Sequence, residues 1–181
     1  MADLQRLSLD DWLRIVRDPT PIHVIPETMA LVLRRGVEKI ATTYGGVASG
    51  IWSGNPASAS VVRRFLEFHG AGPKIATMAT NILVRHFHVP LSDYHFVDIS
   101  VDRQVRRVMA RMGFVQPGAD DLQVIYAARE ANPNFPGIFD LSLWDLGRRI
   151  CRPTNPDCPA CPHSDLCRYA SPNGTETSQT G

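Results

Sequence analysis

The sequence predicts an all-α fold, and three observations carry that prediction. Apolar residues recur at three- and four-residue steps in one segment after another. Proline and glycine mostly fall between those segments, where they punctuate rather than interrupt. No stretch alternates apolar and polar residues in the manner of a half-buried strand. A hydrophobic content of 44% is enough for a real core in 181 residues. No apolar run approaches membrane-spanning length, so no membrane partner is expected.

The elements follow in order. Ser8 caps a short helix whose Leu9, Trp12, Leu13 and Val16 share one face, and Pro19 and Pro21 end it. Pro26 suits the first turn of the next helix, which runs to about Tyr44. Met29, Val32, Leu33, Val37, Ile40 and Tyr44 form its core-facing stripe, and Gly45-Gly46 stops it. A glycine- and serine-rich connector covers 47–56. A helix from about Ser58 to Phe68 turns Val61, Val62, Phe65 and Leu66 inward. After "HGAG" (69–72), a helix from Pro73 to about His86 buries Ile75, Met78, Ile82 and Leu83. Asp102 caps a helix closed by Gly113, with Val105, Val108, Met109 and Met112 inward and Arg103, Arg106, Arg107 and Arg111 facing elsewhere. Two more helices are expected at about 120–131 and 140–150. The tail, 169–181, lacks apolar content and is expected to be disordered.

All four cysteines lie within seventeen residues, as C-x6-C-x2-C-x5-C: Cys151, Cys158, Cys161 and Cys167. Disulfides are disfavoured, because the N-terminus mixes acids and arginines among its apolar residues and does not read as a secretory signal. A structural zinc ion and an iron–sulfur cluster both suit four thiolates. Spacing leaves the two open.

Charge gives a second clue. Net charge is +1, so any attraction to nucleic acid must be local. Seventeen of the 19 basic residues are arginine, and only Lys39 and Lys74 are lysine. Lys74 falls in the first turn of the helix after "HGAG", where the helix dipole disfavours a cation. A neutral lysine amine is a nucleophile suited to Schiff-base chemistry, whereas arginine stays protonated. Gly70 and Gly72 expose backbone amides beside a helix N-terminus, an arrangement suited to phosphate. Asp102, besides capping its helix, is placed to stabilise an oxocarbenium-like sugar; Asp98 is a nearby alternative. Each feature has a plain structural reading: a turn, a solvated lysine, a cap.

Together they resemble the endonuclease III family of DNA glycosylases, the helix–hairpin–helix superfamily with an iron–sulfur cluster loop. "FHGAGPKIA" (68–76) is similar to the family's L-P-G-x-G-x-K-x-A hairpin, and "VDRQVRRV" (101–108) to its V-D-x-H-x-x-R-V segment. "GRRIC" (147–151) resembles the run into the cluster, and the cysteine spacing is the family's own. The resemblance covers roughly 58–168. It implies excision of a damaged base from double-stranded DNA, with Lys74 and Asp102 as the catalytic pair. It implies abasic-site lyase activity, because Lys74 matches the Schiff-base lysine of bifunctional members. It implies DNA contacts from His69, Gly70, Ala71, Gly72, Arg148 and Arg149, and a structural [4Fe–4S] cluster on the four cysteines. The expected protein is a monomer, cytoplasmic and nucleoid-associated. Two lobes are expected: a partial helical barrel, 24–113, and a cluster lobe, 1–20 with 114–168.

Four departures accompany the resemblance. The hairpin starts near the N-terminus, and the L-S-x-Q-x-T stretch that supplies a residue to fill the flipped-base gap is missing. Pro73 removes one amide donor from the hairpin. Arg103-Gln104 stands where x-His is usual. The loop "RPTNPD" carries little positive charge for phosphate. The competing reading is a non-catalytic DNA-binding module with a structural cluster; a third is a zinc-stapled helical interaction domain.

Overall fold

The computed structural model describes residues 2–93 and 96–171. Among these residues every regular element is helical: α1 (Ala2–Gln5), α2 (Leu9–Arg17), α3 (Pro26–Thr43), α4 (Ser58–Leu66), α5 (Pro73–Arg85), α6 (Arg103–Met112), α7 (Asp121–Ala131) and α8 (Phe139–Arg149). Short 3₁₀ turns lie at Ala48–Ile51, Pro136–Ile138 and Ser164–Leu166. Among the described residues no helix is long and apolar enough to cross a membrane.

The caps explain the boundaries. Ser8 forms a capping box with Asp11, its hydroxyl accepting the Asp11 amide at 3.2 Å while the Asp11 carboxylate accepts the Ser8 amide at 2.9 Å. Asp120 and Gln123 repeat the device at α7. Asp102 Oδ1 accepts the amides of Gln104 and Val105, at 2.8 and 2.9 Å, and starts α6. Gly113, at φ 94°, ends it in the left-handed conformation that favours glycine.

Three apolar clusters hold the helices. Trp12 and Val16 of α2 pack on Ala30 of α3. Val61 of α4 and Leu83 of α5 meet Ile51 and Leu91. The largest cluster joins Val105, Val108 and Met109 of α6 to Val124 and Ala128 of α7 and to Leu143 and Leu146 of α8. Burying each of the larger side chains there contributes roughly 1.5–3 kcal/mol. Gly147 lets α8 approach closely, since a methyl there would lie 2.8 Å from Gln104 Cβ. Cys151 and Cys161 flank this same cluster, so α6 shares a core with the cysteine loop. α2 and α3 pack together through Trp12, and α6 packs with α8.

Two expectations change. The inward face of α5 is Ala76, Thr80, Asn81 and Leu83, whereas Ile75 and Ile82 are 48% and 40% exposed. Ile82 and Met78 instead wall an open cavity. Tyr169, expected in a disordered tail, is placed: its amide donates to Arg111 O at 3.0 Å, and its ring lies under the Arg111 guanidinium at 4.6 Å. The rest of the expected tail, 172–181, lies outside the described residues.

Candidate active site

The hairpin between α4 and α5 is built on a glycine. Gly70 has φ +81°, and a Cβ there would lie 2.7 Å from Val32 Cγ2 of α3, so both the turn and its seat require glycine. Ala71 closes the turn, its amide donating to Phe68 O at 3.0 Å. The amides of Gly70, Gly72, Lys74 and Ile75 have no backbone acceptor among the described residues. Arg35 of α3 donates to His69 Nδ1 at 3.0 Å and adds a cation beside them.

Lys74 Nζ lies 3.6 Å from Asp102 Oδ2. The lysine side chain is 47% exposed and that of Asp102 only 11%. The other lysine, Lys39, pairs with Glu67 at 3.1 Å. Asp98, the alternative to Asp102, is occupied by a two-point pair with Arg129, at 2.7 and 2.8 Å. The hydrogen bond that Arg129 donates to Asp98 and the burial of the arginine act in opposite directions on its guanidinium, and the bond prevails, raising it further. Of the two carboxylates considered, Asp102 alone faces the lysine.

Lys74 and Asp102 share a cavity of about 290 Å³ with Met78, Ile82, Leu141 and Trp144. That volume sits near the ~300 Å³ lower end of small-ligand cavities. Arg148 lies over the Trp144 ring at 4.6 Å, and Arg149 pairs with Asp145 one turn back; both arginines are exposed at the C-terminal end of α8.

The same wall holds a carboxyl that sequence reasoning missed. Asp140, in the first turn of α8, is 6% exposed. Its Oδ1 meets Ser100 Oγ at 2.6 Å, and its Oδ2 accepts from Asn81 Nδ2 at 3.2 Å. Asn81 Nδ2 also donates to Asp98 O at 2.9 Å, leaving Asn81 Oδ1 buried without a partner. That oxygen sits against Gly137, where a methyl would lie 2.3 Å from it and 2.7 Å from Val97 O. An acidic residue early in a helix reads as an ordinary complement to the dipole, so nothing local marked Asp140.

Three arginines of α6 bond to neighbouring elements and are half-buried, whereas Arg103 is exposed. Arg107 donates to Cys151 O at 2.9 Å, to Gly147 O at 2.7 Å and to Gln104 Oε1. Burial is the leading cause that pulls its guanidinium below the ordinary arginine range. Arg111 donates to Cys151 Sγ at 3.3 Å and to the carbonyls of Arg152 and Pro153, at 2.7 and 2.9 Å. Arg106 binds Ala119 O and Asp121.

The four cysteines wall one small cavity of about 20 Å³. Burial, and after it the neighbouring Cys167, Cys151 and Cys161 thiols, push the Cys158 thiol up. Among the described residues, no three His, Cys, Asp or Glu side chains converge tightly enough to hold a single metal ion. The four thiols line one cavity, and Arg111 donates to the Cys151 sulfur.

Helices around a glycine-turned hairpin, with a lysine and a helix-capping aspartate on one cavity wall, define the helix–hairpin–helix glycosylase fold. No family model matches the chain. Its fold is that of endonuclease III: it superposes on a non-covalent endonuclease III–DNA complex with a TM-score of 0.68 at 22% identity, covering 93% of this chain and 68% of that one. A trapped endonuclease III–DNA covalent intermediate gives a TM-score of 0.66 at 22% identity, with the same coverage. A thermostable thymine-DNA glycosylase gives 0.65 at 19%, covering 93% and 69%. In sequence, the chain is 36% identical over 76 residues to an adenine DNA glycosylase of Arabidopsis thaliana. That stretch is 39% of this chain and 12% of the relative's length.

Proposed function

We propose that the chain is a base-excision DNA glycosylase with abasic-site lyase activity, working as a monomer on duplex DNA that carries a damaged base. The observation that carries this reading is the 3.6 Å approach of Lys74 Nζ to Asp102 Oδ2 on the wall of one ligand-sized cavity. The uncommitted amides of Gly70, Gly72, Lys74 and Ile75 would hold a backbone phosphate, with His69, Arg35, Arg148 and Arg149 as flanking donors. A nucleotide held there would turn its base into the cavity against Met78, Ile82 and Trp144, at a cost of a few kcal/mol. As the C1′–N bond to the base breaks, Asp102 stabilises the developing sugar cation. Lys74 Nζ bonds to C1′. Loss of a proton from that nitrogen with opening of the sugar ring gives the Schiff base, and loss of a C2′ proton then expels the 3′ phosphate.

Cys151, Cys158, Cys161 and Cys167 would hold the [4Fe–4S] cluster. What supports this is the cavity their thiols share and the Arg111 donor on Cys151 Sγ. When bound, it would supply cross-linking of the loop rather than chemistry on the base. The residues of this chain that fix the loop without it are Arg107 and Arg111.

Borohydride reduction in the presence of abasic-site DNA tests the reading. A covalent protein–DNA product is expected, absent in Lys74→Ala while DNA binding persists. Binding without any covalent product in the unaltered protein would leave only a DNA-binding module.

A further inference from the structure

We propose that Asp140 and Ser100 form the proton donor for the departing base, with the Ser100 hydroxyl facing the base and Asp140 acting through it. This rests on the glycosylase reading and adds to it the step that reading leaves open. Neither Lys74 nor Asp102 serves that step: the lysine goes to C1′, and Asp102 is paired with it while accepting two amides.

The geometry is specific. Ser100 and Asp140 are 3% and 6% exposed, lie 2.6 Å apart, and both line the cavity that holds Lys74 and Asp102. Asp140 makes no salt bridge among the described residues; its hydrogen-bond partners are the neutral side chains of Ser100 and Asn81. A buried carboxylate without a counter-ion is costly, and the neutral acid avoids that cost. The charged and titratable groups around it are Lys74, Arg85 and His86 from α5 and Asp102 from the start of α6. Burial is the first cause lifting the Asp140 carboxyl above the usual range. The bonds from Ser100 and Asn81 oppose it, Asp102 adds to it and Arg85 opposes it. Two carboxyls in one cavity thus divide the work: one opposes a cation, the other keeps a proton to give.

The step balances. The base leaves with the electron pair of the C1′–N bond and takes a proton from Ser100 Oγ. Ser100 takes the Asp140 proton in turn. Lys74 bonds to C1′ through Nζ as the free amine and sheds the resulting proton to water in the open cavity, and water reprotonates Asp140 once the base has left.

The test separates base release from lyase chemistry. Asn at 140 keeps the shape of Asp and still accepts from Asn81, while its amide N–H donates to Ser100 Oγ in place of the bond that Ser100 gives Asp140 Oδ1, so Asp140→Asn is the variant chosen to preserve the packing. The readout is base release relative to borohydride trapping on pre-formed abasic-site duplex, where no base departs, and that ratio is expected to fall in Asp140→Asn. Release of the best-handled base from a panel of uracil, 5-fluorouracil, 5,6-dihydrouracil and 3-methyladenine duplexes is expected to fall about 100-fold or more. Ser100→Ala is expected to share that loss. The high-pH decline of wild-type base release should be absent from the variant's residual rate. Wild-type base release and an unchanged pH profile in Asp140→Asn would overturn the proposal while leaving the glycosylase reading intact. Failure of the unaltered protein to trap abasic-site DNA would overturn that reading instead. If the unaltered protein releases no base from the panel, infrared spectroscopy decides. A protonated-carboxyl band at neutral pH that is lost in Asp140→Asn supports the proposal, and its absence sinks it.

Discussion

At its N-terminal end α6 opens onto a cavity of about 290 Å³; at its C-terminal end it closes on one of about 20 Å³. The polar groups at the two ends are used differently. Around Asp102 they are sparsely committed: Lys74 is half-exposed, four hairpin amides lack backbone acceptors, and Asp140 holds only neutral partners. Around Arg107 and Arg111 almost every donor is taken by a carbonyl or a thiol of the cysteine loop. One short helix therefore carries an end available for chemistry and an end spent on holding the chain. A positive charge in this protein does different work according to which end it serves.

The sharpest way to break that contrast is to remove one cation from each end. Lys74→Ala is expected to abolish covalent trapping on abasic-site DNA while changing unfolding free energy by no more than about 0.5 kcal/mol, as for an exposed site. Arg107→Ala is expected to do the reverse in kind, costing about 2–3 kcal/mol in denaturant titration because the Cys151 and Gly147 carbonyls lose their donor. Equal destabilisation by both would erase the distinction. Next in size is Gly70→Ala, which meets both the positive φ and Val32; a loss of about 1–2 kcal/mol is expected from the backbone conformation alone. Adding Val32→Ala should relieve the clash and leave the conformational part.

Asp140 gives a smaller effect with a definite sign. Its carboxyl holds a proton more tightly in the folded chain than in the unfolded one. The folded state thus binds more protons between the ordinary carboxylate range and the raised value, and stability falls as pH rises through that window. Urea titrations across pH should find the decline flattened in Asp140→Asn. The smallest effect is expected for Arg149→Ala, whose i,i+4 surface pair with Asp145 is worth about 0.3–0.5 kcal/mol.

Most of the helical framework was legible because its signals are local. Ser8, Asp102 and Gly113 mark ends by the groups they bond or the φ they adopt, and the helices begin and end within two residues of them. The hairpin and the Lys74–Asp102 pairing were legible from motif order. Three things were not. The apolar period of α5 does not distinguish a core from a cavity wall, so Ile75 and Ile82 were expected inside. Arg107 and Arg111 read as part of a solvent-facing run, because their acceptors are main-chain carbonyls some 40 residues away, which no sequence pattern announces. Asp140 was hidden for a similar reason: Ser100 and Asn81 reach it only across the fold, 40 and 59 positions distant.

The tight seat of Gly137 has a consequence for anyone who would engineer this cavity. The Gly137 amide donates to Val97 O at 2.8 Å and its Cα seats against the Asn81 side chain, which fixes the chain three residues ahead of the first-turn carboxyl. Position 140 is thereby anchored by the backbone rather than by the preferences of its own side chain. An isosteric replacement such as Asp140→Asn is therefore expected to remove the titrating proton while the start of α8 stays in place.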